Sequence, residues 1–172
     1  MTNLPEWKHL IPENFHGNSR VWIYQSSRIF SITEALQIES ILEDFVENWN
    51  SHGTPVKGYA NLLFGQFVVF IADETATGVS GCSTDSSVRV IKEIETLFRT
   101  SMFDRLTLAF IKDGKVQMLP LQQISYAIEN GFITKDTIYF NNLVQTKKDL
   151  LDHWLVPVKN SWLSSRLKNV TV

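Results

Sequence analysis

Tyr59-Ala60-Asn61-Leu62-Leu63-Phe64-Gly65-Gln66-Phe67-Val68-Val69-Phe70-Ile71-Ala72 decides the fold class of this 172-residue chain. Two runs rich in apolar, β-branched and aromatic residues, Tyr59 to Phe64 and Gln66 to Ala72, flank Gly65, the residue type that takes a tight turn at least cost. They read as a β-hairpin, and hairpin strands pair antiparallel. The apolar run Phe67 to Ala72 is far shorter than the roughly 20 residues that cross a bilayer as a helix. No membrane span is expected.

Upstream, Val21-Trp22-Ile23-Tyr24-Gln25 has strand composition, and Ser31-Ile32-Thr33-Glu34 has the spacing of a capping box. Serine oxygen and glutamate carboxylate would there exchange hydrogen bonds with each other's backbone amides. A helix therefore begins at this point. Its apolar positions Ala35, Ile38, Ile41, Leu42, Phe45, Val46 and Trp49 recur every three to four residues, so the helix reaches Trp49 or Asn50 with one buried stripe. The opposite face carries Glu34, Glu39, Glu43, Asp44 and Glu47, with no Lys or Arg between Arg28 and Lys57. Such a face is ordinarily solvated, and the alternative is a docking surface for a basic partner.

Downstream, Gly78-Val79-Ser80-Gly81-Cys82-Ser83-Thr84-Asp85-Ser86-Ser87 joins the hairpin to a second helix capped by Ser83 or Thr84. Val88, Ile91, Ile94, Leu97 and Phe98 form that helix's expected buried stripe. Leu106 to Ile111 and Val116 to Leu119 make another hairpin around Asp113-Gly114. Pro120 suits the first turn of a third helix, which Gly131 ends. Thr137 to Phe140 reads as a strand and Thr146 to Trp154 as a short helix.

The order strand, helix, strand, strand, helix, strand through Ile111 is the split βαβ pattern. The expected fold class is α+β, with an antiparallel or mixed sheet, a ferredoxin-like βαββαβ core and a C-terminal extension. Residues 1–18, with Pro5, Pro12 and Gly17, read as an N-terminal arm, 19–162 as one domain and 163–172 as a frayed tail.

Composition narrows the function classes. Sixteen basic against eighteen acidic residues give a net charge of −2, so the chain lacks the overall positive field that draws proteins to nucleic acid. One cysteine cannot close an internal disulfide, and the N-terminus has neither a basic start nor an apolar run. A cytoplasmic location follows as an expectation.

The turn around Cys82 is the candidate site. A thiol at a helix start can be activated by amides and the helix dipole, His52 is the best-placed base on a loop, and Asp85 or Asp73 can orient it. Gly81, Ser83, Thr84, Ser86 and Ser87 offer amides and hydroxyls to an anion or phosphate group. Each feature also has a structural meaning: a small buried cysteine and a well-capped helix. Cys82 and Arg89 are one residue too far apart for a phosphatase Cys-x5-Arg loop. Gly53-Thr54-Pro55-Val56-Lys57-Gly58 has the P-loop glycine spacing, but Tyr59-Ala60 stands where Lys and Ser/Thr would be required. His9, His16, His52 and His153 are scattered, so neither a metal site nor another cofactor is expected. Trp22, Trp49, Trp154 and Trp162, with Tyr24 and Tyr139, suit core packing or an interface.

Ser19-Arg20-Val21-Trp22-Ile23-Tyr24-Gln25, Trp49-Asn50-Ser51-His52-Gly53, Ser80 to Arg89, Tyr139-Phe140-Asn141-Asn142-Leu143-Val144, and Trp154 through Pro157 to Ser161-Trp162 resemble an uncharacterised family of small Bacteroidetes proteins often labelled "ABC transporter ATPase". The resemblance covers nearly everything from Ser19 to Trp162. It implies a bacterial protein but carries no established activity, and the missing P-loop lysine speaks against nucleotide hydrolysis. The expected function is a noncatalytic module binding a protein or small-molecule ligand, possible as a homodimer. The alternative is an enzyme using Cys82 or the anion cradle, with His52 as base.

Overall fold

The computed structural model describes residues 4–75 and 81–167, the side chains of 81–84 excepted. In chain order the helices and strands are β1 (Arg20–Gln25), α1 (Ile32–Glu47), β2 (Asn50–Ser51), β3 (Thr54–Pro55), β4 (Lys57–Leu63), β5 (Phe67–Asp73), α2 (Gly81–Phe98), β6 (Thr107–Lys112), β7 (Lys115–Pro120), α3 (Ile124–Glu129), β8 (Ile138–Phe140), α4 (Lys147–His153), β9 (Leu155–Pro157) and α5 (Ser164–Leu167). Every described strand pairing is antiparallel, and the fold is α+β.

The strands expected to form a ferredoxin-like core do not share a sheet. β1, β5 and β4 form one sheet in that order, while β6 belongs to a second sheet ordered β7-β6-β8-β9. β1 also runs antiparallel to β5, from Arg20 opposite Ala72 to Gln25 opposite Phe67. Element order alone sets neither strand direction nor partner choice. β6 takes its neighbours from the Asp113-Gly114 hairpin to β7 and from β8. Asp113 and Gly114 both have positive φ, 52° and 73°, as the tight hairpin turn requires.

The chain divides into two compact units. The larger is Trp7–Asp104 with Val144–Leu151, and the smaller is Met1–Glu6, Arg105–Leu143 and Asp152–Val172. The stretch 19–162 is thus shared between the two units, and the stretch 1–18 divides after Glu6.

In the larger unit all seven β5 residues are buried, as suits a strand flanked on both edges. Val68, Phe70 and Ala72 point toward α1 and α2, where they pack with Ile38, Leu42, Trp49, Ile91 and Ile94. α1 starts as the sequence dictates: Ser31 accepts from the Glu34 amide at 3.2 Å, and Glu34 accepts from the Ser31 amide at 2.9 Å. It ends at Glu47, two to three residues early. Trp49 has left the helix, and its carbonyl accepts from Val56. Its ring is nonetheless buried, tilted against Phe45 and edge-on to Phe70, and lies so close to Gly58 that no Cβ fits there. α2 begins at Gly81, two to three residues before the expected serine or threonine cap. With hydroxyls at 80, 83, 84, 86 and 87 and no apolar stripe before Val88, the sequence does not mark its first turn.

The residues Val144–Leu151 return to the larger unit beside β1. Val21 donates to the Gln145 carbonyl, Lys147 to Ser19 and Lys148 to Gly17, each at 2.9 Å.

In the smaller unit Phe110, Ile124, Ala127, Ile128, Ile133, Tyr139 and Val158 make the core. Pro120 ends the edge strand β7 rather than starting a helix, and a single 3-10 turn, Leu121–Gln123, leads into α3. An edge strand tolerates proline because the missing amide is on no shared ladder.

Candidate functional site

Three places in the larger unit hold side chains with functional chemistry. The first is where the N-terminal segment crosses the ends of β4 and β5. Trp7, Ile11 and Phe15 are buried there, so much of the expected arm is anchored. Tyr59 donates its hydroxyl to the Leu10 carbonyl at 2.8 Å. Lys147 is only 7% exposed, and its ammonium donates to the Phe15 carbonyl at 2.7 Å and the Glu13 carbonyl at 3.2 Å. Lys57 donates to the Asn14 carbonyl and stands over the Phe15 ring. Asp73, buried at the end of β5, accepts from the Thr75 hydroxyl at 2.7 Å, the Thr75 amide at 2.9 Å and the His16 amide at 3.0 Å. These bonds, led by the Thr75 hydroxyl, hold its carboxyl well below the usual range, with Lys57 3.5 Å away adding to the effect. Four donors engaged in local structure leave Asp73 a fastener.

The second place is the turn read from sequence as the site. The side chains of Gly81, Cys82, Ser83 and Thr84 lie outside the described residues, and their backbone forms the first turn of α2. Asp85 is exposed and Ser86 half-buried. Ser87 is fully buried, its Oγ 3.3 Å from the Tyr24 hydroxyl. His52 and Gly53 form the two-residue turn between β2 and β3, with φ of 51° and 80°. Histidine is among the few non-glycine residues that accept this backbone region. The His52 side chain is exposed, and no hydrogen-bond partner orients it among the described residues. β2 packs against α2, which brings this hairpin beside the helix carrying Cys82. Among the described residues no group of three or more His, Cys, Asp or Glu is placed to hold a metal ion, and no helix is long and apolar enough to cross a membrane.

The third place is the outer surface of the helix pair. Arg28 grips Glu34 through two bonds, 2.9 and 2.7 Å, and also donates to the Phe98 carbonyl. The N-terminal end of α1 is thereby tied to the C-terminal end of α2. The Arg28 bonds and the Ser31 amide bring Glu34 down to about 2. Beside this tie a shallow groove of about 380 Å³ is lined by Gln37, Ser40 and Ile41 of α1 and Leu97 and Phe98 of α2. Leu97, expected in the buried stripe of α2, is 57% exposed. Leu36, one helical turn from Ser40, is 62% exposed, and Ile32 before it is 83% exposed. A signal for this surface was present in the sequence: Ile32 and Leu36 are apolar residues that fall off the stripe from Ala35 to Val46.

Compared with known protein families, curated proteins and solved structures, the chain shows no match.

Proposed function

We propose that this chain is a noncatalytic interaction module that takes a segment of a protein partner on the α1–α2 face. The observation that carries the reading is the exposure of Leu97 on the wall of the groove, with Leu36 and Ile32 also exposed further round α1. Burying such a side chain is worth about 1.5–3 kcal/mol, and this fold leaves all three in water. Apolar side chains left exposed at a groove are a common mark of a binding surface. The packing of α1 and α2 on the sheet is complete without them.

An uncharged amphipathic peptide of leucine and glutamine, titrated into isotope-labelled protein, tests this. Amide shifts should move at 29–41 and 94–98, and the double variant Leu36→Ser/Leu97→Ser should lose them. Shifts elsewhere only, or none, would contradict the reading.

A second reading is supported by the position of the β2–β3 hairpin beside α2: an enzyme with Cys82 as nucleophile and His52 as base. Cys82 should then be alkylated by iodoacetamide at neutral pH much faster than a free thiol, and His52→Ala should slow that reaction. Ordinary reactivity in both proteins would end it.

A further inference from the structure

We infer that the outer edge of β4 is a second docking site, separate from the α1–α2 groove, and that it takes an extended, lysine- or arginine-bearing segment of a partner protein as an added strand.

β4 and β1 are the two end strands of the β1-β5-β4 sheet. The β1 end is partly closed by the returning chain, where Val21 donates to the Gln145 carbonyl and Lys147 to Ser19. The β4 end is open. In an antiparallel ladder every second residue turns its amide and carbonyl away from the neighbouring strand. On the β4 side these are the even-numbered residues, as two hydrogen bonds that bypass β5 show. Val56, just before the strand, donates to the Trp49 carbonyl at 2.9 Å, and the Leu62 amide donates to the Asn61 side chain at 2.8 Å. Gly58 and Ala60 lie between them, and among the described residues no group meets their outward amides or carbonyls. Both residues are half-exposed. A Cβ at Gly58 would run into the Trp49 ring, and Ala60 packs on the core, so what water reaches is their backbone edge.

Sheet edges in proteins are ordinarily blunted by proline, bulges or outward charge. The seven residues of β4 contain no proline, and their register with β5 is unbroken from Lys57 opposite Asp73 to Leu63 opposite Phe67. The one charged residue, Lys57, is drawn to the Asn14 carbonyl and Asp73. Alternating donors and acceptors along such an edge complement an extended backbone, the mode of recognition by strand addition.

The surroundings set the charge of the occupant. Gln37, Ser40 and Ile41 of α1 line the groove toward α2, while Ile38, Leu42 and Phe45 pack on the sheet. At about 100° per residue, Glu39, Glu43 and Val46 fall on the remaining flank, opposite α2. α1 packs on β4, and α2 reaches β1 at the other side of the sheet through Ser87 and Tyr24, so this flank overhangs the open edge. Glu39 and Glu43 are exposed there. Two copies pairing β4 with β4 would bring these carboxylates toward their counterparts, which makes a second copy a poor occupant. A strand with cations on its α1 side meets them with opposite charge.

A short peptide alternating valine and lysine, N-methylated at every second residue so that it keeps one open edge and stays monomeric, tests the inference by hydrogen exchange on the full chain. With free peptide at about ten times its Kd, exchange at Gly58 and Ala60 should slow about ten-fold, while Tyr59 and Asn61, already in the β5 ladder, change little. The same peptide N-methylated at every residue should have no effect, and glutamate in place of lysine should weaken binding. Ala60→Pro removes an open-edge amide without touching the β5 ladder, so the chain should still fold and lose the peptide's protection of Gly58. Leu36→Ser/Leu97→Ser should leave that protection unchanged. Equal protection by the lysine and glutamate peptides would overturn the basic occupant, and protection by the fully methylated peptide would overturn strand addition. Unchanged exchange at Gly58 and Ala60 with every peptide, or dimerisation of the chain that Ala60→Pro abolishes in sedimentation, would overturn the whole inference.

Discussion

The larger unit treats two of its surfaces in opposite ways. Where the N-terminal segment crosses β4 and β5, Lys57, Lys147 and Asp73 converge on residues 13–16, and each ends in hydrogen bonds within the chain. On the outer side of α1 and α2, three large apolar side chains and a row of carboxylates end in water. A polar group that is buried and satisfied holds a fold together, because breaking its bonds leaves desolvated donors. An apolar group left exposed adds little to folding and is free to act in association. The contrast separates residues that keep the structure from residues available for work.

The largest expected effect is therefore at the fastened surface. Asp73→Ala strands the His16 amide and both Thr75 donors, and should cost about 2–3 kcal/mol in urea unfolding. Asp73 also sets a pH dependence. Its folded carboxyl titrates below the ordinary value of about 4, so as pH falls the unfolded chain binds the proton first. Its stabilisation is full above about pH 5 and is lost progressively below that. The acid limb of a stability-against-pH curve should be shallower in Asp73→Ala; an unchanged slope would remove Asp73 from this role.

Beneath the other surface the packing is tight, and Gly58→Ala should show it. The new methyl has no room beside Trp49, so a loss of about 1–3 kcal/mol and a change in tryptophan fluorescence are expected. At the rim, Ser31→Ala removes the α1 cap and should cost about 1 kcal/mol. On the face itself the effect should nearly vanish: Leu36→Asp or Leu97→Asp should leave stability within about 0.5 kcal/mol.

Local chemistry was legible in the sequence. The Ser31-Glu34 capping box, the turns at Gly65 and Asp113-Gly114, and the α1 stripe form as short-range spacing requires, because each depends on residues a few positions apart. Partner choice between distant strands was not legible, since β1 and β6 have strand composition whichever sheet receives them. Trp49 illustrates the boundary: its apolar position continued the helical period, yet it is buried from outside α1. Leu97 illustrates it again. Helical spacing groups it with Ile94 and Phe98, but only the placement of α1 decides which flank of α2 is covered. The clasp on Asp73 joins residues 57 positions apart through a backbone amide, which leaves no trace in side-chain pattern.

The claim at the centre of this account is that the α1–α2 face is apolar for association and not for folding. One double variant, Leu36→Asp/Leu97→Asp, measured by urea unfolding and by titration with the uncharged amphipathic peptide, tests it most directly. The account predicts an unfolding free energy within about 1 kcal/mol of the parent chain together with loss of peptide binding. A drop of several kcal/mol, or binding that persists unchanged, would contradict it.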